Sequence, residues 1–419
     1  MDNRLDTANL ESNKIDRLAA SAGIFLGLCS IFEPYIVFQV SGLTIRVTDV
    51  ALILLAMLVV LRNRNKTLII NLSRFSLLIW YVGFAFITLF GIMVSNSGFA
   101  NTYRSVFINM IYIILFELVW RVASFESFKK TLYIAGTIVS LVVVLQFVLG
   151  NIGIPMWDGR IPGFQIYGHW SAYNKLIIRD IRPNGVFQEA SYVGLYLMIA
   201  LAAALKDTKY KYVITFTVAL LLSASLVSIG GVAIAYIYLF IFSKESKMNE
   251  KAKRRAFIIL LILIITFVVL YSNNQSVKST IDYLVGRING MGESLRGERM
   301  SSERYRLTGY IDYFFQYNSA QKAFGVGESQ YYLFFGLEKG YANNFVTCLL
   351  NFGIVGLIWY ILGQISLFRK IDISKRIYFW LFVFVSAVDA FWFNWHFFYA
   401  ITPCMLLNNN VNGNREENF

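Results

Sequence analysis

Apolar runs separated by short polar turns dominate the chain, at 18–40, 48–61, 75–94, 105–120, 131–149, 185–205, 212–225, 229–242, 256–271, 342–368, 377–390 and 395–407. Crossing about 30 Å of hydrocarbon takes roughly 20 such residues in a helix. The pattern therefore predicts an all-α polytopic integral membrane protein, one transmembrane domain over 1–419 with about 12 transmembrane helices. Two stretches interrupt the rhythm as long loops, about 150–184 and 273–341. Cytoplasmic turns accumulate Lys and Arg. The turns at Arg62, Arg64, Lys66 and Arg74, at Arg121, Lys129 and Lys130, at Lys206, Lys209 and Lys211, at 244–255, and at Arg369, Lys370, Lys375 and Arg376 fall on one side in this scheme. Both termini then lie in the cytoplasm and both long loops outside. The deciding stretch is 212–242, which holds either two short crossings turning at 225–231 or one long tilted helix. The basic turn that follows favours two.

Composition sharpens this reading. The chain is 57% hydrophobic and 15% charged, against roughly 25% charged in soluble domains. Much of the formal net charge of +13 sits in the cytoplasmic turns, where it sets orientation and meets anionic membrane lipids, so nucleic-acid binding is not expected. Cys29, Cys348 and Cys404 all lie within spans without paired spacing, which indicates neither a disulfide framework nor a thiolate metal site. His169 and His396 are the two histidines and show no HExxH or HxH spacing, so no metal is expected. The cytoplasmic connections are too short for a nucleotide-binding domain and carry no GxxxxGK[ST], so the expectation is no cofactor and no ATP-driven pumping. The first span contains Glu33 and lacks a small-residue cleavage site, reading as a retained helix rather than a signal peptide.

The outer loops hold the candidate chemistry. The first ends in IRDIRPNGVFQEASYVG, where Pro183 suits the first position of a helix. That would set Arg182 at the positive end of the sixth span and Glu189 two turns inside it, about 9 Å along the axis and on the same face. A carboxylate within a span is costly to ionise and usually faces a partner or a wet cavity. Glu189 is thus a candidate base for a hydroxyl group, or a holder of Arg182. Glu33, Glu117 and Asp389 are further acids within spans, and Glu33 and Asp389 fall near outer ends, where they could line the same cavity. In the second loop the basic residues between Gly286 and Arg306 are all arginine: Arg287, Arg296, Arg299, Arg304 and Arg306. Guanidinium binds phosphate oxygens bidentately and stays charged, which suits pyrophosphate. The alternative is a solvated loop in which these arginines pair with Glu293, Glu298 and Glu303. The aromatic stretch Tyr305, Tyr310, Tyr313, Phe314, Phe315 and Tyr317 suits an interfacial helix.

Four fragments in order, R-P-N-G-V-F-Q-E-A-S from Arg182, S-x-R-x-x-x-T-x-x-x-D-Y-F from Ser302, F-G-V-G from Phe324 and N-N-F-V-T-C-L-L-N-F-G-I-V-G from Asn343, resemble the O-antigen polymerase and ligase superfamily, in particular Wzy-type polysaccharide polymerases. The resemblance implies a GT-C-type, metal-independent glycosyltransferase of the bacterial inner membrane with its active site facing the periplasm. It would move a growing glycan from undecaprenyl pyrophosphate onto the next undecaprenyl-pyrophosphate-linked oligosaccharide repeat. It implies Arg182 and Arg304 as the loop arginines that stabilise the leaving group and leaves the base open, with Glu189 the first choice and a mechanism without a base the alternative. Around them the expected substrate-binding residues are Arg160, Arg179, Gln188, Tyr192, Arg296, Arg299, Tyr305, Arg306, Asn343 and Asn344. A chain-length regulator and a flippase are the partners implied. Ligases of the superfamily carry a His-Asn pair where this chain has Asn343-Asn344, which favours polymerase over ligase. A flippase or other transporter also has about twelve spans. Transporters, however, show repeats and midplane charge, and no repeat is visible here.

Overall fold

The computed structural model describes residues 2–40, 43–62, 75–95, 99–154, 157–168, 170, 183–241, 250–273, 278, 282, 285–286, 310–337 and 342–406. Within them the chain is mostly helical. The helices are α1 (Asp2–Phe32), α2 (Val47–Arg62), α3 (Leu77–Ser95), α4 (Phe99–Val122), α5 (Phe125–Asn151), α6 (Ala190–Lys206), α7 (Tyr210–Leu222), α8 (Leu226–Ile241), α9 (Glu250–Asn273), α10 (Ile311–Gln316), α11 (Ser319–Phe324), α12 (Tyr331–Phe334), α13 (Asn344–Lys370), α14 (Arg376–Val388) and α15 (Trp395–Met405). Four described stretches are long and apolar enough to cross a membrane: Leu77–Ser95, Thr102–Val122, Phe125–Asn151 and Asn344–Lys370. Large apolar side chains point outward from them, among them Phe86, Met93, Ile134, Ile138 and Ile358. Surfaces of that kind need lipid rather than water as solvent, so the protein is membrane-embedded.

The first apolar run does not stay helical. It ends at Phe32, and Tyr35–Val40 forms β1, paired antiparallel with β2 (Leu43–Arg46) and with β3 (Gln165–Ile166) in the order β2-β1-β3. Pro34 disfavours the α conformation at Glu33, and the alternating YIVFQV that follows suits a strand. The stretch 212–242 is two helices, with the break at 223–225, where Ala224 takes φ +50. The break falls just before the expected turn. At 13 residues, α7 reaches about 20 Å.

Small residues set the packing. Gly23 and Gly27 lie on one face of α1 against α5, where a Cβ on Gly23 would stand 2.5 Å from the Ser124 carbonyl oxygen. Helix α6 is buried almost all round, with Gly194 against Ser228 and Met198 against Gly231 of α8. An element apolar on every side belongs in the core. At one end of the bundle three basic turns meet: the Nζ atoms of Lys129, Lys206 and Lys375 lie 5.5, 5.9 and 4.7 Å from the Phe125 ring centroid. Lys129 also pairs with Asp207 at 2.9 Å. The strands, Gly153 and the start of α6 belong to the opposite, Glu33 end.

Candidate functional site

The stretch before α6 is a turn and not the first coils of a helix. Gly185 has φ +59, which no α-helix accommodates, and Asn184 Nδ2 donates to Phe187 O at 2.6 Å. Gln146 of α5 clamps the turn, donating to Gly185 O at 3.0 Å and accepting from Gly185 N at 2.8 Å, and it also donates to Trp157 O at 3.1 Å. Asn184 Nδ2 and Trp170 Nε1 both donate to Asp158 O at 3.0 Å. The two strands of loop cross so closely that a Cβ on Gly159 would meet Gly185 O at 2.2 Å. Pro183 is therefore outside the helix, which starts at Ala190, and Glu189 caps its start in extended geometry rather than lying two turns within it.

From this turn a set of contacts closes on itself. Gln188 Nε2 donates to Tyr167 O, and the Tyr167 ring carries the Arg46 guanidinium 4.2 Å above its centroid. Arg46 Nη1 pairs with Glu33 Oε1, and Glu33 Oε2 stands 3.9 Å from His396 Nε2. The His396 ring stacks on Tyr192 with centroids 3.9 Å apart and an interplanar angle of 28°. Tyr192 N donates to Glu189 O at 3.1 Å, which returns to the residue beside Gln188. The half-buried Glu189 carboxylate accepts from Ser191 Oγ at 3.2 Å. Asp49, at the start of α2, accepts from Arg46 N and Tyr112 OH, both at 2.7 Å. Next to this ring Trp157, Phe164 and Tyr167 are 44%, 50% and 46% exposed. Carboxylates and amides that accept and donate hydrogen bonds, beside open aromatic faces, suit a ligand with hydroxyl groups and C–H faces.

Of the residues expected from sequence, Gln188, Glu189 and Tyr192 are brought together, and Arg160 lies in the adjoining loop with its Nε 2.6 Å from Asp158 Oδ2. Asn343 and Asn344 are elsewhere. Asn343 is the N-cap of α13, accepting from Val346 N at 3.0 Å, and Asn344 Oδ1 accepts from Phe391 N at 3.2 Å inside the bundle. Arg179, Arg182, Arg296, Arg299, Arg304, Tyr305, Arg306 and His169 lie outside the described residues. Glu117 serves the start of α3, accepting from Leu78 N and Ser76 Oγ, both at 3.0 Å. Sequence reasoning passed over Arg46, because it stands at the edge of an apolar run with no motif around it. It named Glu33 and His396 without seeing that they meet.

The second loop engages the bundle through two of the motif fragments. Inside α13, Gly353 takes φ 65 and ψ −163 and breaks the helix. A Cβ on Gly353 would lie 2.4 Å from the backbone of Ala323, and one on Gly325 would lie 2.2 Å from the backbone of Asn351. Gly327 N donates to the Asn351 carbonyl oxygen at 2.8 Å, and Asn351 Oδ1 accepts from Gln330 N and Tyr331 N, both at 3.3 Å. The turn thus occupies the groups that the helix break releases. Of the aromatic stretch the described residues form the short α10, and Tyr310 and Tyr317 turn inward to pack with Tyr331, Val346 and Leu350.

Among the described residues no group of three or more His, Cys, Asp or Glu is placed to hold a metal ion. Comparison with models of protein families gives no match, and comparison with curated proteins gives none.

Proposed function

We propose that the chain is a lipid-linked polysaccharide polymerase, a metal-independent glycosyltransferase of the GT-C type with about twelve crossings. In this reading the end of the bundle where Lys129, Lys206 and Lys375 gather is cytoplasmic, as the bias of basic turns requires, and the Glu33 end faces the periplasm of the bacterial inner membrane. The observation that carries the reading is the closed ring around Glu189, acidic and aromatic, lying immediately after the stretch of chain that bears Arg179 and Arg182. A glycan's hydroxyls and C–H faces match the first part, and a pyrophosphate matches the second.

The reaction requires no nucleotide. Glu189 takes the proton of an acceptor hydroxyl on one undecaprenyl-pyrophosphate-linked repeat as its oxygen attacks the anomeric carbon of the growing glycan. The bond from that carbon to the pyrophosphate oxygen breaks, and the leaving group keeps the electron pair. Arg182 and Arg304 stabilise the charge that develops there, an effect that commonly dominates such catalysis. Gln188, Tyr192, Arg46 and the exposed rings position the sugars. A chain-length regulator and a flippase would be its neighbours.

The test is a gel profile of surface polysaccharide from cells lacking this chain, complemented with wild type, Glu189→Ala, Arg182→Ala or Arg304→Ala. We expect a single repeat unit without the chain, a ladder with wild type, and no ladder with any of the three variants although each is inserted. Polymer made but held on its carrier would make the protein a ligase. Repeat units left on the cytoplasmic face would make it a flippase. Normal ladders from all three variants would remove Glu189 and the arginines from the site.

A further inference from the structure

The carboxyl group of Glu328 is used by nothing in the reaction above, yet among the described residues of the two long loops it is the most deeply buried acid. It follows the F-G-V-G fragment in the turn that seats between α3, α4 and α13. That seat is tight, since a Cβ on Gly91 of α3 would stand 2.9 Å from Gly327 N. Glu328 is fully buried. Its Oε1 accepts from Asn109 Nδ2 of α4 at 3.0 Å and from Trp392 Nε1 at 3.1 Å, while its Oε2 is buried with no hydrogen-bond partner. The other titratable groups that face it are the Tyr81 hydroxyl from α3 and the Cys348 thiol from α13. Among the described residues no Lys, Arg or second carboxylate pairs with it.

Neutral donors on one oxygen and none on the other satisfy a protonated carboxyl far better than an ionised one, for which a bare buried oxygen is the costliest arrangement. The turn is seated through its backbone: a Cβ on Gly325 would meet the Asn351 backbone at 2.2 Å, and Gly327 N donates to Asn351 O at 2.8 Å. Gly325 and Gly327 take φ of 72 and 102, which glycine adopts readily, whereas Ser329 at φ 56 is held there by its surroundings. Outside the bundle the same carboxyl would be hydrated and ionised.

We propose that Glu328 is a proton-binding latch: the turn seats in the broken helix α13 with this carboxyl protonated, and losing the proton favours its release. The inference does not depend on the polymerase reading. Burial raises the group from 4.5 to about 7, with the neighbouring Trp392, Tyr81 and Asn109 opposing the rise. The sign follows from linkage. The seated turn holds the proton up to about 7 and the released turn only up to about 4.5, so seating is strongest below the lower value. It weakens tenfold per pH unit between the two and is flat above the upper one, a loss of roughly 300-fold in all.

The experiment uses the full chain in lipid nanodiscs with Val326→Cys, a position fully buried when the turn is seated. Labelling by N-ethylmaleimide at that site is followed by mass spectrometry between about pH 5 and about pH 8 and corrected for thiolate fraction. With Glu328 present the corrected rate should climb with pH and level off near 7. With Glu328→Gln, which keeps the neutral form, it should stay low and flat. Equal profiles for the two, or faster labelling of the Gln variant at every pH, would overturn the proposal. Should the Gln variant fail to fold, difference infrared spectroscopy of the unsubstituted protein decides. A protonated-carboxyl band lost on raising the pH, and moved in Glu328→Asp, supports the latch, and its absence at low pH overturns it.

Discussion

Replacing Arg46 with Met tests whether the contacts at the Glu33 end form one closed unit. The side chains of Arg46 and Glu33 are 16% and 10% exposed, so removing the cation strands a carboxyl that water barely reaches. Deleting one partner of a buried pair costs about 3–5 kcal/mol, whereas replacing both by groups of similar volume is often neutral. Losing the guanidinium above Tyr167, 4.2 Å from the ring centroid, adds about 0.5–1 kcal/mol. The stranded carboxyl relieves part of this by taking up a proton, as an unpaired buried acid does. We expect Arg46→Met to lose on the order of 3 kcal/mol and Arg46→Met with Glu33→Gln to recover most of it. The assay is thermal unfolding of the full chain in detergent for wild type, each single variant and the pair, closed as a double-mutant cycle. A single variant within about 0.5 kcal/mol of wild type, or strictly additive singles, would show that the pair is hydrated and that the ring is no unit.

Other outcomes follow from the same geometry. Gly353→Ala should cost at least about 1–3 kcal/mol, because its backbone conformation suits glycine alone and the added carbon meets the Ala323 backbone at 2.4 Å; limited proteolysis within 310–337 should rise with it, and unchanged cleavage would separate the helix break from loop seating. Gly23→Ala should lower the unfolding temperature, since its Cβ would stand 2.5 Å from the Ser124 carbonyl and backbone must shift. Normal stability there would mean that α1 slides freely on α5. Lys375, in the turn before α14, is pulled down from 10.5 to about 8 by burial. The folded chain therefore loses this proton first, and stability should rise with pH from about 8 towards 10.5 by about 1.4 kcal/mol per unit. Lys375→Met should remove that slope in thermal melts across the window, and an unchanged slope would assign it to another group.

Most helix positions were legible in the sequence because they rest on a local property, the apolar runs, whereas Asn343, expected to bind substrate, is the cap of α13. Charge suggested that the basic turns share one side, but that three of them meet around Phe125 came from the packing. Glu189, Gln188 and Tyr192 could be named because they stand together in one short fragment. The turn at 183–189 was not legible, although Gly185 was visible, because a proline at a helix start and a proline before a tight turn look alike until Gln146 is known to clamp the turn. Nor could the chain order reveal that Ser30 lies against His396, 366 positions away, or that Arg46 joins them through Glu33. Nothing in the sequence sets Glu328 apart, since its neighbours Asn109 and Trp392 come from distant segments. A helix is fixed by bonds between residues four apart, so sequence by itself indicated a mostly helical, membrane-embedded chain and the fragments. A carboxyl's charge and a ring of contacts depend on what long-range packing brings beside them, and only the tertiary structure decided that.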